Sequence, residues 1–371
     1  MKIGIPAETR PGETRVAATP ETVKKLVAAK HHVIVQSGAG VLASVTDDAY
    51  VAAGAQIGSA RDALSASMVL KVRAPSAEER TLMQSGSVVI VMLNPFDVDN
   101  LAAMAAHGLT AFALEAAPRI SRAQSMDVLS SQANIAGYKA VLVAANTYGR
   151  FMPMLMTAAG TVKAARILIM GVGVAGLQAI ATAKRLGAVI EASDVRPPVK
   201  EQVESLGAKF LDVPFLTEEE KEIAQGAGGY ARSMPADWMQ RQAALVHERA
   251  KLADIIITTA LIPGRKAPIL ISEETVKAMK PGSVIVDMAV EQGGNCPLSE
   301  LNRTVTKHGV HIIGEPNLAA LVPADASALY ARNVLDFLKL IVDAEGELAI
   351  NRDDEIVAAT LLCTAGEVLR K

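Results

Sequence analysis

The segment Ala165–Asp194 constrains the fold of this chain more than any other. The apolar run Arg166–Met170 leads into the turn Gly171-Val-Gly173-Val-Ala-Gly176, and the helical pattern Leu177–Leu186 follows it. A second apolar run then ends at Asp194. This order predicts a strand, a tight turn, a helix and a second strand, which is the unit that binds dinucleotides in open α/β sheets.

Each glycine of the turn has its own predicted task. Gly171 permits the tight turn, Gly173 lets the backbone approach a pyrophosphate, and Gly176 lets the helix lie close to its strand. The helix begins at Val174 and Ala175, where free N–H groups and a partial positive charge favour phosphates. A turn that only reverses the chain is the alternative, but strand, helix and acidic residue all lie where a nucleotide site needs them.

Asp194 lies at the spacing of the carboxylate that accepts the adenosine ribose hydroxyls. Such a carboxylate favours NAD(H), because it would repel the 2′-phosphate of NADP(H). The next two residues are Val195 and Arg196, and the arginine weakens this preference without reversing it.

The bulk properties exclude several classes of protein. A net charge of −2 offers no basic surface for nucleic acid. Cys296 and Cys363 are far apart and lack metal-ligand spacing, so we expect a reducing compartment and no metal site. The longest stretch without a charged residue, Ile167–Ala183, contains the glycine turn, so we expect a soluble chain.

Alternating apolar runs and helical patterns predict an α/β fold of two Rossmann-like parallel-sheet domains. The strands predicted in the first half are Lys2–Pro6, Val33–Gln36, Met68–Val72, Val88–Leu93 and Thr110–Ala113. Those predicted in the second half are Arg166–Met170, Val189–Ser193, Ile255–Thr259, Ser283–Asp287 and Val310–Ile313.

Two long helices are predicted to join the domains, Met126–Ala145 and Ala328–Val342. The first has a face of apolar and small residues at helical spacing. Its members are Met126, Leu129, Ala133, Gly137 and Ala140. We expect a discontinuous first domain of residues 1–125 and 325–371, a crossing helix and linker over 126–152, and an NAD(H)-binding domain over 153–324.

Ligands of open parallel sheets lie beyond the carboxyl ends of the strands. That rule points to Asp194, to Thr258-Thr259-Ala260-Leu261 and to Asp287–Glu291. Ordinary strand-end polarity remains an equal alternative for the threonines. Gly226–Arg232, which contains Tyr230, suits either a lid over bound cofactor or a flexible surface loop.

Polar residues near the first long helix form a second candidate set. Gln124, Asp127 and Ser130 supply one acceptor and neutral donors, as a site that recognises an amide requires, although a polar helix face in water is the alternative. Arg119 precedes them, and a lone arginine is usually a surface charge.

No histidine follows the strand Val88–Leu93, where Asn94-Pro95 stands instead. Oxidation of an alcohol or amine needs an acid/base group to move a proton. Direct hydride transfer between two nicotinamides needs none, only two C4 atoms held about 3–3.5 Å apart.

Five segments resemble the alanine dehydrogenase and proton-translocating nicotinamide nucleotide transhydrogenase superfamily. They are Glu8–Glu21, Arg122–Gln132 with the following Asn134–Tyr138, Gly171–Ala188, Thr258–Gly264 and Ala289–Glu300. The run Arg-Ala-Gln-Ser-Met-Asp, which begins at Arg122, is much more specific than the glycine turn and is similar to the transhydrogenase branch.

The resemblance implies an NAD(H)-binding component that forms a homodimer and docks on a separate NADP(H)-binding component. Hydride would pass directly between the nicotinamides, coupled to proton translocation through a membrane-embedded component. The chain would be cytoplasmic and peripheral at the cytoplasmic face of the inner membrane, held there by its partner subunits.

The resemblance also implies roles for single residues. Arg119, Gln124, Asp127 and Ser130 would orient the dihydronicotinamide. The cofactor-binding set would be Gly171, Gly173, Val174, Ala175, Gly176, Asp194, Val195, Arg196, Tyr230, Thr259, Ala260 and Leu261.

Two alternatives remain open. Arg15 and Lys71 match cations that bind the substrate carboxylate in alanine dehydrogenase, which favours an amino-acid oxidoreductase. The chain lacks that enzyme's histidine near Asn94, and Glu291 stands where it has aspartate. A non-catalytic NAD-sensing module is the other alternative.

Overall fold

The computed structural model describes residues 1–225, 234–262 and 264–369. It divides into two compact units, one made of Met1–Gln132 with the segment from Ala319 onward, the other of Ala133–Leu318. Both contain a largely parallel sheet with helices, so the predicted α/β fold with two Rossmann-like domains is confirmed. The bounds expected from the sequence differ from these units by up to about twenty residues, because one continuous helix passes the division and its sequence contains no break.

Strands and helices are numbered along the chain. The sheet of the first unit contains the strands β1 (Lys2–Ile5), β2 (His32–Gln36), β3 (Gln56–Gly58), β4 (Met68–Arg73), β5 (Val88–Met92), β6 (Thr110–Ala113), β16 (Leu361–Thr364) and β17 (Glu367–Val368). Their order is β17-β16-β6-β5-β4-β1-β2-β3. Strands β1 to β6 pair in parallel, whereas β16 is antiparallel to β6 and to β17.

The sheet of the second unit contains β9 (Arg166–Met170), β10 (Val189–Ser193), β11 (Lys209–Phe210), β12 (Ile255–Thr258), β13 (Val284–Asp287), β14 (Arg303–Lys307) and β15 (Val310–Gly314). The order is β11-β10-β9-β12-β13-β15-β14, and only β14 runs antiparallel. The chain leaves β9 towards β10 on one side and β12 lies on the other, so the strand order reverses between β9 and β12.

The α-helices of the described residues follow the same numbering. They are α1 (Pro20–Ala28), α2 (Asp47–Ala52), α3 (Ala60–Leu64), α4 (Ala77–Leu82), α5 (Val98–Ala106), α6 (Val128–Thr147), α7 (Val174–Arg185), α8 (Val199–Ser205), α9 (Glu218–Gln225), α10 (Ala236–Ala250), α11 (Glu273–Ala278), α12 (Pro323–Ile341) and α13 (Glu355–Thr360). Helix α6 passes from the first unit into the second, and α12 lies within the first.

Both faces of each sheet are buried. In β9, Ile167 and Ile169 belong to one apolar cluster and Leu168 and Met170 to another. Continuous burial on both faces explains why these strands have uniformly apolar sequences and were predictable. Strands β3, β11, β14, β16 and β17 were not predicted, because they are short or partly exposed.

A separate hairpin joins α6 to β9. It consists of β7 (Leu155–Thr157) and β8 (Gly160–Val162), which pair only with each other among the described residues. The portion of the chain that the structure describes contains no helix both long and apolar enough to cross a membrane.

Candidate functional site

The glycine turn lies where the strand order of the second sheet reverses. Gly171 has φ +90°, and a Cβ there would lie 2.7 Å from the hydroxyl of Thr259. That hydroxyl donates a hydrogen bond to the Gly171 carbonyl, at 2.8 Å, so the ends of β9 and β12 are joined. Backbone conformation and space both require glycine here.

The start of α7 has the features of an anion site. Gly173 is its N-cap and supplies no side-chain capping bond, and the space beside its Cα is open to at least 4 Å. The first N–H groups of a helix lack partners within the helix, so those beginning at Val174 and Ala175 can donate to a ligand. A Cβ on Gly176 would lie 2.2 Å from the Gly171 carbonyl oxygen. The turn therefore fits a pyrophosphate.

Helix α6 supports this turn through a glycine. A Cβ on Gly137 would lie 2.1 Å from the carbonyl oxygen of Ala175, so only glycine permits this close approach. The predicted small-residue face contained Gly137 but did not connect it with the cofactor turn. That face was wrong at Leu129, which is 41% exposed.

Asp194 closes the other side of the turn. Its Oδ2 accepts hydrogen bonds from the Val172 N–H at 2.7 Å and from Arg196 Nη2 at 2.8 Å. Its Oδ1 accepts from the backbone N–H and from Nε of Arg196, both at 2.9 Å. The hydrogen bond to Asp194 raises the pKa of Arg196, although burial opposes the shift. The carboxylate is held beside the glycine turn, as a ribose acceptor must be.

The remaining residues of the predicted cofactor set lie after β12. Ala260 accepts a hydrogen bond on its carbonyl oxygen from Asn295 Nδ2, at 2.9 Å, and Leu261 is 41% exposed. Tyr230 lies outside the described residues. The structure thus brings Gly171, Gly176 and Thr259 into contact and fixes Asp194 to the same turn through Val172.

Asp287 has a structural environment. It is fully buried, and its two oxygens accept from the N–H groups of Ala289, Asn295 and Cys296 and from the Ser299 hydroxyl, at 2.6–3.1 Å. With its acceptor positions filled from the following loop, it fixes that loop and offers no ligand contact. The strand-end rule was misleading at this position.

The second candidate set lies in the first unit. Asp127 accepts from the Ser130 N–H at 2.9 Å and from its hydroxyl at 2.6 Å. Asp127 therefore caps α6, which begins at Val128 rather than at the predicted Met126. Gln124 lies in the preceding 3-10 helix Ser121–Met126 and is exposed, as is Arg119. Gln124 is thus not part of a polar face of α6.

Buried charges fill the equivalent switch point of the first sheet, between β1 and β4. Lys71 is 1% exposed, and its Nζ lies 2.8 Å from Glu79 Oε1 and 3.3 Å from Glu8 Oε2. Glu8 also accepts from the N–H groups of Val72 and Arg73. A substrate carboxylate would have to displace these glutamates from Lys71.

Arg15 is engaged in the same way. Its guanidinium lies 2.6–2.7 Å from both oxygens of Glu13 and 2.7 Å from Gln132 Oε1. Although burial opposes it, hydrogen bonding from Arg15 lowers the pKa of Glu13 to about 2. The sequence identified Arg15 and Lys71 but not their partners, because partners so far apart in sequence leave no local pattern.

Asn94 is a turn residue. It has φ +58°, its N–H donates to Glu115 Oε1 at 2.6 Å, and its side-chain oxygen accepts from the Phe96 N–H. Such a side chain holds no proton to exchange near neutral pH. The turn after β5 thus offers no acid/base group at this position.

Glu115 should make stability depend on pH. Its Oε2 is buried and accepts no hydrogen bond within the described residues, and burial raises its pKa to about 7. A raised carboxyl pKa stabilises the fold most below pH 4.5, and this contribution is lost as pH rises through 7. Relative to Glu115→Gln, the wild type should lose about 3 kcal/mol of unfolding free energy between pH 4.5 and 8.

Urea titrations at pH 5 and pH 8 measure this difference. Glu78→Gln, a change at an exposed carboxylate of the same unit, should show no such pH-dependent gap to wild type. A constant gap between Glu115→Gln and wild type would contradict the account. No group of three His, Cys, Asp or Glu side chains among the described residues could hold a metal.

Comparisons with known proteins agree with this geometry. The family model described as alanine dehydrogenase/PNT, N-terminal domain, matches residues 4–136, and the corresponding C-terminal domain matches residues 140–371. Between them they include nearly the whole chain.

Three relatives illustrate the similarity. The first portion of NAD(P) transhydrogenase subunit alpha from Rhodospirillum rubrum, a separate chain, is 54% identical, covering 100% of this chain and 98% of the relative. The crystal structure of transhydrogenase from Sinorhizobium meliloti has a TM-score of 0.90 at 50% identity and covers 100% of both chains. Alanine dehydrogenase of Bacillus subtilis is 30% identical, covering 99% of this chain and 92% of the relative.

Proposed function

The chain belongs to the alanine dehydrogenase/PNT family, and we propose that it is the NAD(H)-binding subunit of a proton-translocating NAD(P) transhydrogenase. In this proposal NAD(H) binds here, NADP(H) binds on a partner subunit, and hydride passes directly between their nicotinamides. The single observation that supports it best is the Gly171–Gly176 turn with an uncapped helix start and Asp194 fixed beside it.

The geometry gives each portion of the coenzyme a partner. The pyrophosphate would accept hydrogen bonds from the N–H groups at the start of α7. The adenosine ribose hydroxyls would donate to Asp194, and Thr259, Ala260 and Leu261 would border the site after β12. The bound coenzyme supplies the hydride; the chain supplies binding and orientation.

The nicotinamide end would be oriented by Arg119, Gln124, Asp127 and Ser130. The Ser130 hydroxyl already donates to Asp127, so Asp127 fixes the direction in which Ser130 presents its lone pairs. Gln124 is exposed and carries both a donor and an acceptor, as recognition of a carboxamide requires. Orientation is the main task in direct transfer, because the reaction needs two rings at a set distance and no proton relay.

An alanine dehydrogenase-like activity has less support. Arg15 and Lys71 are buried against Glu13, Glu8 and Glu79, and Asn94 forms a turn where that enzyme has a histidine. A substrate carboxylate would have to break these ion pairs, and no proton acceptor stands at Asn94.

The assembly that we propose has two further kinds of subunit. One binds NADP(H) and receives the hydride, and a membrane-embedded one conducts protons. The chain itself would lie in the cytoplasm, peripheral to the inner membrane through these partners. Relatives of similar length whose names describe one portion of subunit alpha agree with a multi-subunit assembly.

The β7–β8 hairpin supports a homodimer. Four apolar side chains in and before it are exposed: Phe151 57%, Met154 60%, Leu155 39% and Met156 69%. Two-stranded hairpins are only marginally stable alone in water, and concentrated exposed apolar surface is typical of interfaces. A second copy of the chain would cover this surface.

Met156→Asp should weaken the dimer at least about tenfold, because it places a charge in an apolar interface. Sedimentation velocity across a concentration series measures the change. Val98→Asp, at an equally exposed residue of α5, should leave the assembly unchanged. An unaltered dimer with Met156→Asp would show that the hairpin lies outside the interface.

Hydride exchange tests the proposed function. The chain is mixed with an NADP(H)-binding partner subunit, and transfer from NADH to an NADP analogue is followed by absorbance. We expect exchange that requires both proteins. A folded mixture without exchange would refute the proposal, as would steady NADH formation from L-alanine by the chain alone.

A further inference from the structure

The carboxylate of Asp194 has all of its acceptor positions filled. Each oxygen of a carboxylate offers about two lone pairs. Oδ1 accepts from the backbone N–H and Nε of Arg196, and Oδ2 from the Val172 N–H and Arg196 Nη2, all at 2.7–2.9 Å. The side chain of Asp194 is only 5% exposed, so little of the carboxylate faces water.

Binding of an adenosine ribose must therefore exchange hydrogen bonds at Asp194. The two backbone N–H bonds belong to the turn itself and can stay. The Nε and Nη2 bonds come from a side chain that is 23% exposed and can rotate away. The two ribose hydroxyls are donors, so they can take the positions that the two guanidinium N–H groups leave.

The exchange discriminates against a 2′-phosphate. An unprotonated phosphate has acceptors only, so it cannot replace the guanidinium N–H groups on a carboxylate, and it is repelled by that carboxylate once uncovered. Asp194 and Arg196 together thus favour a ribose that carries two free hydroxyls.

We propose that Arg196 is a specificity-determining residue that competes with the adenosine ribose for Asp194 and must leave before NAD(H) is fully bound. The inference rests on the proposed function, because it needs NAD(H) to bind at the Gly171–Gly176 turn. It adds that the free chain holds its own ribose site closed.

Arg196→Gln tests the competition, since glutamine cannot form the two-pronged bond. NADH and NADPH titrations, followed by nucleotide fluorescence, give the affinities. We expect NADH to bind about three- to tenfold more tightly to Arg196→Gln, as loss of part of a charge-assisted bond predicts, with little gain for NADPH. Lys200→Gln is the charge-matched control, because Lys200 pairs with the exposed Asp212 in the same segment.

Stopped-flow binding supplies a readout that a merely structural role would not change. If Arg196 must leave first, the observed rate should saturate with NADH in the wild type and rise linearly in Arg196→Gln. Unchanged or weaker NADH binding in Arg196→Gln, with normal Lys200→Gln, would overturn the inference while leaving the proposed function intact. Failure of wild type to bind NADH would overturn both.

Discussion

Asp127→Asn is expected to slow hydride transfer about 100-fold, the cost of a misplaced ring, while NADH affinity changes less than about threefold. Asparagine can still cap α6 through its side-chain oxygen, so the start of the helix at Val128 should persist. The lost charge weakens the 2.6 Å bond from the Ser130 hydroxyl and frees that hydroxyl to turn. Single-turnover transfer with the partner subunit and NADH titration measure the two quantities.

Two companion variants define the roles within this set. Gln124→Asn, which shortens an exposed side chain, should also slow transfer more than it weakens binding. Asp127→Ala should slow transfer and also lower the melting temperature, because it removes the cap as well as the charge. Equal losses of transfer and NADH affinity in Asp127→Asn would mean that these residues anchor the dinucleotide and do not orient its ring.

Asp194→Ala is expected to weaken NADH binding about 30- to 100-fold, which corresponds to the loss of charge-assisted bonds worth about 2–3 kcal/mol. The variant loses both ribose acceptors and the 2.7 Å bond that fixes the Val172 N–H. Transfer at saturating NADH should fall much less, because the nicotinamide end is held elsewhere. Discrimination against NADPH should relax, since the carboxylate that repels its phosphate is gone.

Calorimetric titration with NADH and NADPH measures these affinities. Asp212→Ala removes an exposed carboxylate that pairs with Lys200 and should bind NADH as the wild type does. If Asp194→Ala kept full NADH affinity, the ribose would lie elsewhere and the assignment of the turn would be wrong.

The cofactor turn could be predicted because its determinants are local. Strand, glycines, helix and Asp194 follow one another within thirty residues, and each has one geometric task. The observed bounds of β9, β10 and β6 equal the predicted ones, since strands buried on both faces have uninterrupted apolar sequences.

Contacts between distant segments could not be predicted in this way. The pairs of Arg15 with Gln132 and of Thr259 with Gly171 join residues about ninety or more positions apart. Nothing in the sequence near Asp287 distinguishes a ligand-binding carboxylate from one that fixes its own loop, and only its five buried donors decide the matter. The antiparallel strands β14, β16 and β17 are too short or too polar to have a clear pattern.

The central claim is direct transfer of hydride from a coenzyme on this chain to a coenzyme on a partner. NADH carrying deuterium at the transferred C4 position, mixed with both subunits and an NADP analogue in ordinary water, tests it most directly. The account predicts that the deuterium appears at C4 of the reduced analogue without loss to solvent. Deuterium released into water, or reduction that proceeds without this chain, would contradict it.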